Sequence, residues 1–273
     1  MYSDDESITS SVEEDARLEV YNDFIEADIL GIKQNNPKVI ELRIDGRDFW
    51  SEDWTGEDWE QLGRSMSNNN FLQDVILEHG VLDDLEMSYL FGGLTKSGTI
   101  KYLNLSDNEL SVDGVKPMLQ FLENSNNLDS LTLQYNSNIK SEGFSLLWRA
   151  LRDSRIEDLC CYDCGIDSIE IDIHTIPQRL TKLSLAKIQL NADGCRELSM
   201  LLRGKSILKK LWLSENRLDD ECVLILVNAL RHNTSLEELG LYDNDAISKE
   251  GHRQLLRLVN DISSIKATLQ SNH

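Results

Sequence analysis

Basic residues are scarce in this chain. Against 48 Asp and Glu there are 27 Lys and Arg, a formal net charge of −21 over 273 residues. That deficit excludes a generic nucleic-acid or anionic-membrane surface, since both need a dense positive patch. No apolar run approaches the roughly 20 residues that cross a bilayer, so membrane insertion is not expected. The opening MYSDDESITSSVEEDARLEV lacks the basic-then-apolar order of a secretory signal. Cysteines number five, an odd count, which points to a reduced compartment rather than a disulfide scaffold. The expected location is cytoplasmic, with the nucleus as alternative. H-E-x-x-H, a Walker-type phosphate loop and paired C-x-x-C motifs are missing as well. The histidines (His79, His174, His232, His252 and His273) are dispersed, none beside a nucleophile and carboxylate in sequence. FGGLTKSG (91–98) has glycines and Lys96 without the Walker spacing, and reads as a helix end and turn. No catalytic residue, cofactor or metal is assigned, and the chain is expected not to be an enzyme.

What the chain does have is a repeat. IKYLNLSDN (100–108), LDSLTLQYN (128–136), LKKLWLSEN (208–216) and LEELGLYDN (236–244) share the frame L-x-x-L-x-L-x-x-N, with Ile accepted at its first position. Weaker copies are VIELRIDGR, LQDVILEHG, IEDLCCYDC and LTKLSLAKI. The copies start at 39, 72, 100, 128, 156, 180, 208 and 236, and five of the seven steps are 28 residues. Positions 4 and 6 are apolar at period two, as a strand with one buried face requires. Helical patterns lie between frames, at 113–124, 141–154, 192–204 and 219–233, with Pro117 expected near the first turn of its helix. Strand, turn and helix repeated in one sense build a parallel sheet backed by helices. Strands sit ~4.8 Å apart and helices are ~10 Å wide, so the stack must curve with the strands inside.

This frame resembles the leucine-rich repeat family, and its 28-residue period with helical second halves is similar to the ribonuclease-inhibitor-like branch. The expected fold class is therefore α/β: a leucine-rich-repeat solenoid, or horseshoe, of about eight repeats. Its parallel sheet lines the concave face and its helices the convex face. Residues 1–11 are expected to be an acidic disordered tail, 12–38 an N-terminal capping helix, 39–247 the repeats, and 248–273 a C-terminal helix and cap. Asn at position 9 (Asn108, Asn136, Asn216, Asn244) is expected to bond backbone groups where the chain leaves the sheet. Ile188 takes that position in one copy, where a different turn is expected.

Cys160, Cys161 and Cys164 obey the same frame. Cys161 fills a core slot and Cys164 the Asn slot, while Cys160 faces the other way, so their sulfurs do not converge on one ion. Two irregularities stand out. The 24-residue repeat from 156 alternates Ile169, Ile171 and Ile173 with polar residues and predicts an extended convex segment instead of a helix. Trp50, Trp54 and Trp59 are expected to close the open N-terminal end of the core.

Function falls to the concave face, formed by positions 3, 5 and 7 with position 8 at its rim. Tyr102, Tyr135, Tyr162, Trp212 and Tyr242 are all turned there by the frame, and Tyr and Trp anchor interfaces at low entropic cost. Repeats one to five are acidic on this face, whereas Lys182, Lys187, Lys209 and Lys210 invert the sign in repeats six and seven. Equivalent positions stack, so Asp158–Lys182 and Lys210–Glu238 are expected cross-strand neighbours, and Asp163 counts among the acids of the face. The expected function is a non-enzymatic protein–protein interaction module. Its partner is a protein with a mostly basic surface and a smaller acidic spot. Two alternatives come with the resemblance and the architecture. One is a GTPase-activating protein of the Ran-activator type, a group that uses this repeat branch and is acidic, although no motif here carries over its catalytic residues. The other is a constitutive structural subunit of a large assembly.

Overall fold

The repeated frame becomes a stack of strand–turn–helix units in the computed structural model of the chain, which describes residues 5–49, 54–172, 176–203, 206–261 and 266–268. Trp50 and Ile173 lie outside the described residues. The order is α1 (Asp5–Lys33), β1 (Glu41–Asp45), α2 (Gly56–Asn68), β2 (Asp74–Glu78), α3 (Asp84–Gly93), β3 (Tyr102–Asn104) and α4 (Val112–Asn124). It continues with β4 (Ser130–Thr132), α5 (Lys140–Ala150), β5 (Asp158–Cys160), β6 (Lys182–Ser184), α6 (Ala192–Arg203) and β7 (Lys210–Trp212). The last elements are α7 (Asp220–Leu230), β8 (Glu238–Gly240), α8 (Lys249–Asp261) and β9 (Lys266–Thr268). All these strands form one parallel sheet in chain order from β1 to β9.

Register explains the single core. Leu42, Val75, Leu103, Leu131, Leu159, Leu183, Leu211 and Leu239 pair one to the next across eight strands. Each is at most 1% exposed, and together they form one dry spine. The residues flanking each leucine in β4 to β7 are half-buried, because alternate side chains leave by the opposite face. Helices close the other side with Leu62 and Met66, Met118 and Phe121, Phe144 and Trp148, Leu198 and Leu202, and Leu226 and Leu230. At the N-terminal end Trp59 is buried, Trp54 packs on it at 4.6 Å between ring centroids, and Phe49 meets Trp54 edge-on at 5.5 Å.

The asparagines work as bridges between neighbouring repeats. Asn136 Nδ2 donates to Leu105 O of the preceding repeat and to Leu133 O of its own, both at 2.8 Å. Its Oδ1 accepts from the backbone N–H groups of Asn108 and Leu110, each at 3.0 Å. Asn216 repeats the pattern, donating to Leu185 O and Leu213 O and accepting from Ile188 N and Leu190 N. Cys164, in the same slot, keeps one link to the preceding repeat, from Sγ to Leu133 O at 3.1 Å.

That bridge corrects one expectation. Ile188 does not alter its turn: Lys187 and Gln189 have φ of 55° and 56°, against 55° and 54° for Asp107 and Glu109 around Asn108. The turn is clamped from outside by Asn216 of the next repeat, so its own ninth residue is free to change. Other boundaries also move. Helix α1 begins at Asp5, inside the segment expected to be a tail and ahead of residue 12. Pro117 is the sixth residue of α4 rather than in its first turn. Strand β9 extends the sheet past α8, where only a helix and cap were foreseen. In the shortened repeat, residues 165–172 form neither helix nor strand, Ile169 and Ile171 are buried, and Glu197 of α6 accepts from Ile171 N at 2.9 Å.

Candidate functional site

The sheet face opposite the helices carries the expected residues, and the structure sorts them into groups. Position 8 of repeats three to eight is a rim residue in the left-handed backbone region: Asp107, Tyr135, Asp163, Lys187, Glu215 and Asp243 have φ between 54° and 62°. This turn aims successive side chains to the edge of the concave face one strand apart.

The first group is built on β4 to β7. The Tyr135 and Tyr162 rings meet edge-to-face at 5.2 Å, and Tyr135 remains 47% exposed. The Tyr162 hydroxyl reaches over repeat six and donates to the Glu215 carboxylate, with oxygens at 2.9 and 3.0 Å. Position 7 of that skipped repeat is Ala186, small enough to pass beneath. Burial, and then the Glu215 carboxylate, push the Tyr162 phenol far above its usual range, so it is a fixed donor. Lys187 Nζ pairs with Asp163 at 2.8 Å and stands 5.8 Å above the Tyr162 ring centre.

A second group sits on β7 and β8. Glu238 accepts from Trp212 Nε1 at 3.0 Å and pairs with Lys210 at 2.9 Å, while Lys210 lies 5.9 Å from the Trp212 ring centre. Gly240 makes room for that indole, because a Cβ there would fall 2.8 Å from Trp212 Cδ1 and 3.4 Å from Ser214 Oγ. Tyr242 is half-buried at position 7 of this repeat. Tyr102, on β3 between Asp74 and Ser130 in register, lies apart from both groups.

The expected ion pairs exist. Lys182 reaches Asp158 at 3.0 Å, alongside Lys210–Glu238. The basic stretch of repeats six and seven is neutralised within the molecule, since Lys182, Lys187, Lys209 and Lys210 each hold a carboxylate at 2.8 to 3.2 Å. These lysines are exposed, so each pair contributes about 0–1 kcal/mol. They position charge more than they stabilise the fold. Glu215, Lys187, Ser214 and Gly240 complete the groups; the charge pattern put Lys187 on this face, but the sequence did not single out Glu215, Ser214 or Gly240 as site residues. Their signal was the frame itself, which puts small or charged residues at positions 5, 7 and 8 between aromatics.

Cys160 faces this side half-buried, and burial raises its thiol pKa, so the thiol stays protonated. Cys161 and Cys164 are buried in the core. At the N-terminal end Asp45, Glu78 and His79 bring ligand-type atoms within 4.8 Å of one another, a set able to hold a divalent ion. Its carboxylates already hold cations, as Arg47 is bonded to Asp45 and Arg43 to Glu78 at 2.6 Å. The Arg47 guanidinium keeps the Asp45 carboxyl below its usual range. A metal would have to displace both arginines.

No family model matches the chain. It is 25% identical over 229 residues to the ribonuclease inhibitor of Mus musculus, covering 77% of this chain and 49% of that protein. It is 26% identical over 188 residues to NACHT, LRR and PYD domains-containing protein 5 of Mus musculus, covering 66% of this chain and 16% of that one. The chain thus spans half or less of the length of these relatives. Among solved structures it resembles the one described as the crystal structure of the Rad7 and Elc1 complex in yeast, with a TM-score of 0.55. That match has 15% identity over 78% of this chain and 52% of the other, and shows the fold.

Proposed function

We propose that this leucine-rich-repeat protein, ribonuclease-inhibitor-like in its repeats, is a non-enzymatic interaction module that receives a protein partner on the concave side of repeats four to eight. The observation carrying this reading is the grouping of Tyr135, Tyr162, Trp212 and Tyr242 on one open sheet face, each framed by charged residues. Large, stiff side chains with a polar handle concentrate binding energy in a few contacts. The similarity to a protein whose name states inhibition of a ribonuclease supports a protein as the bound object.

The charge of the site describes the partner. With its lysines already paired, the face keeps Asp107, Asp129, Glu157 and Asp243 exposed. A partner with a basic surface fits, and the −21 of the whole chain steers it in. The smaller acidic spot expected on that partner loses its support, because the lysines it would meet are engaged.

Affinity capture with the full chain, followed by titration of the captured protein, tests the reading. Replacing Tyr135, Tyr162 and Trp212 together by Ala is expected to weaken binding at least about 30-fold, the loss of a single hot spot of about 2 kcal/mol, and more if several of the three are hot spots. Unchanged affinity with an intact fold would move the interface off this face.

A further inference from the structure

The lysines of the concave face are engaged by carboxylates, but three arginines towards the C-terminal ends of the convex helices are not. Arg203 ends α6, Arg231 follows α7, and Arg257 lies one turn from the end of α8. All three are exposed. Arginines nearer the starts of these helices are paired, Arg196 with Glu221 and Arg253 with Glu250 at 2.6 Å. Arg203, Arg231 and Arg257 hold no carboxylate at ion-pair distance among the described residues.

Two of these arginines open on one cleft. Between α7 and α8 lies a cavity of about 540 Å³ lined by Arg231 and Arg257, with Asn228 and Gln254 as its other polar groups. No acid is among its described lining residues, in a chain with 48 Asp and Glu. Val227 and Leu258 are its buried apolar part, and Leu224 adds an apolar side chain that is 52% exposed. Helix dipoles favour an arginine at each such helix end. They do not bring two unpaired guanidiniums, two amides and an exposed leucine to one cleft.

We propose that the α7–α8 cleft receives an acidic segment of a partner protein, one in which a carboxylate side chain stands beside an aliphatic one. A guanidinium offers a carboxylate two parallel N–H donors. Leu224, Val227 and Leu258 offer the neighbouring aliphatic group a surface that excludes water. The Asn228 and Gln254 amides each carry donors and an acceptor, which suits a peptide backbone. Leu224, Asn228, Arg231 and Arg257 are all exposed, so the cleft lies open to a passing chain and does not close over a small molecule. Arg203, one helix along, extends the positive edge. The acidic remainder of the surface is screened beyond about 8 Å at physiological salt. A short acidic segment therefore meets the arginines alone, whereas a nucleic acid would also lay its phosphates over the surrounding acids.

The test needs no knowledge of the partner. Isotope-labelled full-length protein is titrated with an acetylated, amidated heptapeptide alternating Glu and Leu, while its amide NMR signals are followed. A Gln–Leu counterpart keeps the aliphatic groups without the charge, and a Glu–Ser counterpart keeps the charge without the aliphatic groups. Saturable shifts are expected at Leu224, Asn228, Arg231, Gln254 and Arg257 with the Glu–Leu peptide. Each counterpart should bind at least about tenfold more weakly, through loss of charge-assisted hydrogen bonds or of apolar burial. Combining Arg231→Gln with Arg257→Gln should weaken the Glu–Leu peptide at least about tenfold and leave the Gln–Leu peptide unchanged, a split that damaged folding would not produce. Lys209→Gln, at a lysine that pairs with Glu237 at 3.2 Å, should change neither. Equal binding of the Glu–Leu and Gln–Leu peptides, or no saturable shift at the cleft, would overturn the proposal. A single-stranded oligonucleotide that shifts the same amides as tightly as the peptide would overturn it in favour of nucleic acid. The wild-type titrations decide this even if the variant folds poorly, and they stand whatever the concave face binds.

Discussion

Asn136→Ala is expected to lower the free energy of unfolding by about 4 kcal/mol, since two backbone N–H groups and two carbonyls each lose a buried partner at about 1–3 kcal/mol apiece. Few single polar truncations remove so much, and the reason is the position. Asn136 is 0% exposed and bonds Leu105 O and Leu133 O while accepting from Asn108 N and Leu110 N, so its loss opens the seam between repeats three and four. The melting temperature should fall by about 10 °C, at the few degrees per kcal/mol of a chain this long. Cys164→Asn should move the other way, gaining about 1 kcal/mol, because an amide restores the acceptor that sulfur supplies poorly. Urea unfolding followed by circular dichroism measures both. A loss below about 1 kcal/mol for Asn136→Ala would mean that the leucine spine alone sets stability.

Gly63→Ala is expected to cost about 3 kcal/mol, at the upper end of what overpacking usually costs. Helices α2 and α3 touch backbone to backbone through a reciprocal pair of glycines. A Cβ on Gly63 would lie 2.0 Å from Leu90 O, and one on Gly93 would lie 2.1 Å from Glu60 O. Neither obstacle is a side chain that can swing aside, so the helices must separate. Gly92→Ala is the control: its Cβ would meet Glu60 Cγ at 4.0 Å, and a helical glycine replaced by alanine gains about 0.5–1 kcal/mol. Opposite signs at Gly63 and Gly92 in one thermal series would establish the close approach, and equal signs would refute it.

These cases show which parts of the molecule were legible in the sequence. The leucine spine was, because a period-two strand inside a 28-residue repeat fixes which side chains stack. The helix-free stretch around Ile169 and Ile171 was too, since alternation at period two has no 3.6-residue rhythm. The turn at Ile188 was not, because what holds it is Asn216, one repeat away. Nor was the role of Gly63 and Gly93, as a close approach exists only once two helices cross. The site divides likewise. Asp158–Lys182 and Lys210–Glu238 follow from stacking equivalent positions. Tyr162–Glu215 skips a strand and depends on Ala186 beneath it, which no pairing of neighbouring copies predicts.

Whether the open sheet face is the docking surface is most directly decided by hydrogen exchange on the captured complex. Binding should slow exchange in the rim segments around Tyr135, Asp163, Lys187, Glu215 and Asp243, leaving helices α2 to α7 unchanged. Protection confined to the convex helices or to α1, with those rims exchanging as in the free chain, would contradict it.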